Sequence, residues 1–71
     1  MLEVEIEEML GRRGTTFAFR HEGKKAFCFI TASRDAIPRL ARGMRLVIEG
    51  RWSPAGQLIF EAHAITLIAG A

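Results

Sequence analysis

The sequence predicts an all-β chain: a five-stranded Greek-key barrel with one short helical turn between strands three and four. Three observations carry this expectation. Apolar and polar residues alternate with a period of two in several short runs, the pattern of half-buried strands. Tetrads rich in glycine or proline separate those runs. The chain has only 71 residues, so one domain, 1–71, is all it can hold. A five-stranded open sheet of that size would leave two raw edges and one bare apolar face, and closure removes both.

Residues 2–7 form the first strand, with Leu2, Val4 and Ile6 against Glu3, Glu5 and Glu7. Gly11-Arg12-Arg13-Gly14 reads as a turn. Residues 15–22 form a second strand rich in aromatic and β-branched types. Gly23-Lys24 suits a two-residue hairpin turn with glycine first, and residues 25–31 form the third strand. Ser33 can cap a short helical turn over residues 33–41, with Ile37, Leu40 and Ala41 inward. Pro38 keeps that turn short and Gly43 ends it. Residues 44–52 form the fourth strand, with Met44, Leu46 and Ile48 inward and Arg45, Val47, Glu49 and Arg51 outward. Ser53-Pro54-Ala55-Gly56 is a turn. Residues 57–68 make the last strand, with Leu58, Phe60 and Ala62 on one face. Leu46, Ile48, Phe60 and Ile6 are the expected core.

Composition excludes several function classes. A single cysteine, Cys28, cannot form an internal disulfide and is read as a small core residue. The first eight residues carry four glutamates, where a signal peptide carries bases and an apolar run. The apolar stretches are far too short to cross a bilayer. A cytoplasmic protein without a membrane partner is therefore expected. His21 and His63 share no ligand spacing with Cys28, so no metal and no cofactor are expected. Ser33 and Asp35 make no nucleophile motif with either histidine, and Gly11–Gly14 is too short for a phosphate loop. The chain is expected not to be an enzyme.

Charge is unevenly placed. Residues 9–71 hold all ten Lys and Arg against four acids, Glu22, Asp35, Glu49 and Glu61, a net of +6. Such bases mean something only if the fold gathers them.

Register decides which phenylalanines reach solvent. If Phe17 and Phe19 faced out, Arg20 would turn inward, and an unpaired buried charge costs several kcal/mol. Setting Leu10 opposite Thr15 places Ile6 opposite Phe19 and Glu5 opposite Arg20, apolar against apolar and acid against base. The Gly23-Lys24 turn then sets Arg20 opposite Phe27 and Ala18 opposite Phe29. Phe17, Phe19, Ala26, Cys28 and Ile30 become core, and Phe27 and Phe29 stand outside beside Arg20. A three-residue turn, His21-Glu22-Gly23, would instead put all four phenylalanines on one face.

The stretch Ala41-Arg42-Gly43-Met44-Arg45-Leu46-Val47-Ile48-Glu49-Gly50-Arg51-Trp52, followed by Gly56-Gln57-Leu58-Ile59-Phe60-Glu61-Ala62, is similar to the last hairpin of many nucleic-acid-binding OB-fold domains. Arg13-Gly14-Thr15-Thr16-Phe17-Ala18-Phe19 with Ala26-Phe27-Cys28-Phe29-Ile30 resembles the two short aromatic motifs of cold-shock domains. The resemblance covers nearly the whole chain in layout. It implies an OB-like barrel and a site for single-stranded RNA or DNA. The chain departs from the family at Glu3, Glu5 and Glu7, where cold-shock domains carry basic and aromatic residues, and at Arg20, where the first motif ends in an apolar residue.

The candidate site follows. Phe27 and Phe29 offer stacking platforms for bases; the competing reading is that both are core. Arg12, Arg13, Arg51 and Trp52 sit in the two loops that flank the groove of an OB fold. These residues are expected on one side of the barrel, bordering the face that carries Phe27. The competing reading makes the arginines solvated turn residues and Trp52 a plug for the barrel end. Arg20, Lys24 and Lys25 extend the basic track, or merely solubilise a hairpin tip. Arg34, Arg39, Arg42 and Arg45 are weaker candidates on the helical connection and its exit. The leading function is a low-specificity module for single-stranded nucleic acid. The alternative is a protein-interaction or self-assembly module on the same fold, such as an accessory factor or inhibitor of a polymerase or helicase, with a protein partner or a homo-oligomer as its ligand.

Overall fold

Strict alternation ends at Ile6, and the fold turns on that break. The computed structural model describes residues 1–55 and 57–70, and only the backbone of Arg34. Six strands are present: β1 (Leu2–Glu5), β2 (Glu8–Leu10), β3 (Thr16–His21), β4 (Lys24–Ile30), β5 (Arg45–Trp52) and β6 (Ile59–Ala69). The expected first strand is thus two strands. Ile6 and Met9 are both drawn toward the core, three residues apart, so no single period-two strand can serve both. Glu7 and Glu8 lie between them, facing solvent. At this corner the chain changes partner. The Ile6 amide donates to the Met44 carbonyl and the Gly43 amide to the Ile6 carbonyl, while the Glu7 amide donates to the Ala18 carbonyl.

The strands form one sheet in the order β1-β5-β6-β4-β3-β2. All neighbours are antiparallel except β4 and β6, which run parallel. β1 and β2 stand at the two ends of the order and do not pair with each other, so this six-stranded sheet is not closed into the five-stranded barrel that the sequence predicts; the two are consecutive in the chain. The principal extents are 29 × 24 × 23 Å. A flat single sheet is about 10 Å thick with its side chains, so this sheet curls strongly, and β1 comes to lie against β3.

The curl encloses a core of Val4, Ile6, Phe17, Phe19, Ala26, Cys28, Ile30, Leu46, Ile48, Phe60 and Ala62. Ile6, Leu46, Ile48 and Phe60 are all buried, as the alternation requires. Each buried phenylalanine contributes roughly 1.5–3 kcal/mol by leaving water. No buried side-chain polar atom lacks a partner among the described residues.

The β3–β4 hairpin corrects the expected turn. Its two turn residues are Glu22 and Gly23, both at positive φ (51° and 80°), and His21 pairs with Lys24. This left-handed pair matches strand twist, which glycine accepts freely and glutamate does not. The pairs are therefore Arg20 with Lys25, Ala18 with Phe27 and Thr16 with Phe29. The register differs from expectation by two residues, and a shift of two preserves the faces. Phe17, Phe19, Ala26, Cys28 and Ile30 point in, and Phe27 and Phe29 point out.

The first hairpin also shifts: Leu10 pairs with Thr16, Met9 with Phe17 and Glu8 with Ala18. The expected helical turn shrinks to one 3₁₀ turn, Arg34–Ala36, ahead of Pro38. Ile37 and Leu40 still pack on the core, but Ala41 is exposed. Gly56 of the expected last turn lies outside the described residues. No helix among those described is long and apolar enough to cross a membrane.

Candidate functional site

Cross-strand register assembles an outer face on β3, β4 and β6. One row runs Leu10, Thr16, Phe29, Glu61, Arg51, from β2 to β5. The next runs Glu8, Ala18, Phe27, Ile59. Phe27 is half-buried between Ala18 and Ile59, and Phe29 is 44 % exposed. Neither packs on the core cluster. Two aromatics two residues apart thus share one solvent-facing surface, flanked by Ile59 and Leu10. Ile59 is legible from the sequence, because its neighbours Leu58 and Phe60 both face inward.

The basic residues divide into paired and unpaired. Arg20 Nε donates to Glu7 Oε2 at 2.8 Å, and Lys25 Nζ lies 3.5 Å from Glu8 Oε1. Arg45 pairs with Glu3, and Arg51 Nε lies 3.4 Å from Glu61 Oε1. The bond from Arg20 holds the Glu7 carboxyl below the usual carboxylate range. The acidic first strand is therefore answered by bases from β3, β4 and β5. All four pairs are solvent-exposed, so each is weak and exchangeable.

Arg12, Arg13, Arg39, Arg42 and Lys24 form no ion pair among the described residues. Three of them converge. Arg12, Arg13 and Arg39 line a cleft of about 470 Å³ with Thr15, Ile37 and Pro38. Proline breaks the connection after its 3₁₀ turn, so Arg39 comes back against the β2–β3 loop instead of standing on a helix. In the sequence Arg39 reads as part of that helical turn, which makes it a weaker candidate than its position warrants. The cleft joins the aromatic face: the Thr15 carbonyl accepts from the Ile30 amide at 2.9 Å, and Thr16 is the partner of Phe29.

Trp52 is elsewhere. Its ring centroid lies 4.9 Å from that of His21, 5.2 Å from Phe60 and 6.3 Å from Phe19. It is half-buried and packs on the core. The His21 contact puts Trp52 at the Lys24 end of the β3–β4 ribbon, whereas Arg12 and Arg13 sit at its Phe29 end. The two loops therefore do not share a rim. The antiparallel run between the two ribbon ends separates them, and they border the aromatic face from opposite ends. Lys24 lies at the hairpin tip beside the Trp52 end. The side chain of Arg34 lies outside the described residues.

Burial pushes the Cys28 thiol up to about 12, which makes it inert at neutral pH. No group of three or more His, Cys, Asp or Glu that could hold a metal ion exists among the described residues. Comparison with protein-family models, curated proteins and solved structures found no match to this chain.

Proposed function

We propose that this chain is a low-specificity binding module for single-stranded nucleic acid, RNA or DNA, built as an OB-like barrel. Support for the barrel comes from the two end strands, β1 and β2, being halves of one bent segment joined at Ile6 and Glu7. Support for the function comes from one juxtaposition: an arginine cleft with no internal counter-charge opens beside an outward pair of phenylalanines. Arg12, Arg13 and Arg39 neutralise backbone phosphates, with guanidinium forks suited to their oxygens. Phe29, and Phe27 beneath it, stack bases irrespective of identity. Glu3, Glu5 and Glu7 keep the strand off the β1 side. Trp52 serves packing in this reading, and Arg51, Arg20 and Lys25 form a rim whose exposed pairs can yield to phosphate. The module performs no chemistry of its own.

The test is anisotropy of a labelled oligothymidylate with two sets of variants. Phe29→Ala should weaken binding by roughly 1–3 kcal/mol and leave its salt dependence unchanged. Arg12→Ala combined with Arg39→Ala should weaken binding and flatten the salt dependence by about 0.7 of a unit for each phosphate left unneutralised. Variants that fold and bind like the wild type would remove the site.

A protein-interaction role for the same face is the second reading, favoured by Ile59 and Leu10 beside the phenylalanines. It predicts that oligonucleotides do not bind even at low salt.

A further inference from the structure

We propose that the outer edge of β6 beyond Ala62 is the contact through which two copies of this chain pair, antiparallel, into one continuous sheet across a two-fold axis. β6 runs from Ile59 to Ala69, but β4 accompanies it only as far as Ala62. There the Thr31 amide and Oγ1 both donate to the Ala62 carbonyl and end the pairing. From His63 onward β6 is paired to β5 alone. Among the described residues no backbone hydrogen bond reaches its other edge. The register against β5 skips a residue at His63 and again at Ile68, so the regular edge is Ala64–Leu67, where every second residue presents its N–H and C=O to solvent.

Natural proteins blunt such an edge with lysine, proline, an inward-pointing charge or a bulge; here the two register skips bound the stretch Ala64–Leu67 without interrupting it. Residues 62–71 contain no Asp, Glu, Lys, Arg or Pro. Ile65, Thr66, Leu67 and Ile68 are instead consecutive apolar or β-branched residues, and Leu67 and Ile68 are 44 % and 47 % exposed. A backbone edge selects an extended strand as its partner. The absence of charge gives it no preference for a basic or an acidic segment, and gives nucleic acid nothing to bind. The same absence removes the usual obstacle to self-pairing, which is like charges meeting across the axis. With Thr66 on the two-fold, Ile65 of each copy stands opposite Leu67 of the other, apolar against apolar, inside the regular stretch. A chain this short also gains from added burial. The pairing leaves the Phe27 and Phe29 face open and does not rest on its proposed function.

The test is sedimentation equilibrium on the full chain. The expected mass is twice the 7.9 kDa of one chain. Thr66→Lys places two lysines together on the axis and should raise the dimer dissociation constant by about tenfold or more. Thr66→Ser should keep the dimer. Thr66 is exposed, so circular dichroism should show Thr66→Lys folded. Hydrogen exchange on the wild type gives a readout free of mutation: amides between Ala64 and Ile68 should gain protection as concentration rises. A single-chain mass up to millimolar concentration, an undiminished dimer in Thr66→Lys, or concentration-independent exchange over Ala64–Ile68 would each overturn the proposal.

Discussion

At the scale of single residues, burial and backbone geometry act more strongly than charge. Cys28 is fully buried, and its thiol is pushed up to about 12. The unfolded chain releases that proton near pH 9, while the folded chain keeps it. Between those values the folded state binds more protons, so stability falls as pH rises, by at most about 1.4 kcal/mol per pH unit. Urea melts at pH about 8 and about 11 should show this loss in the wild type. Cys28→Ala should be less stable throughout and show a shallower loss; an equal loss in both proteins would show that Cys28 does not titrate on unfolding. Arg20 illustrates the opposite regime. Its exclusion from the core is legible in the sequence, because burying an unpaired guanidinium costs more than so small a domain can lose. That one charge determines which phenylalanines face out. The pairing partner is less legible: Glu7, not Glu5, meets Arg20, because the corner at Ile6 turns consecutive glutamates outward.

At the scale of elements, alternation locates the strands, and irregularities displace them. β5 carries its predicted faces, with Leu46 and Ile48 at 0 % exposure. The break between β1 and β2 shows in the sequence only as Glu8 standing where the run Leu2, Val4, Ile6 calls for an apolar residue, with Met9 then needing the same side as Ile6. The β3–β4 turn lies one residue earlier than the sequence suggests, because glutamate rarely adopts the positive φ that Glu22 has here. A second irregularity lies between β5 and β6. Gly50 pairs with Ala62 and Glu49 with Ala64, which leaves His63 as an extra residue. The inward set of β6 thereby changes from Phe60 and Ala62 to Ile65. Gly50 permits this: a Cβ there would stand 1.9 Å from the Glu61 carbonyl oxygen and 2.9 Å from Ala62 Cα. Backbone cannot swing aside as a side chain can. Gly50→Ala should cost about 1–3 kcal/mol or more in a urea melt, as forced insertions into packed sites do. A loss under about 0.5 kcal/mol would mean that the strands separate freely at that point.

At the scale of the whole molecule, the fold sorts the charges. The net of +6 over residues 9–71 could have been dispersed. Instead, Arg20, Lys25 and Arg45 answer the glutamates of the first strands, and Arg51 answers Glu61. Arg12, Arg13 and Arg39 are left together in one cleft. Arg12 and Arg13 are legible as a loop pair; Arg39 is not, because its approach depends on how the chain returns after Pro38. In the proposed function this cleft holds phosphates while Phe29 and Phe27 hold bases. The most direct measurement is the affinity of the wild-type chain for a short oligothymidylate across a salt series. Three neutralised phosphates predict a slope of log K against log salt of about −2 for a single strand. Binding should persist at high salt, weakened but present, through stacking. No binding at low salt, or a slope indistinguishable from zero, would rule out phosphate binding in this cleft.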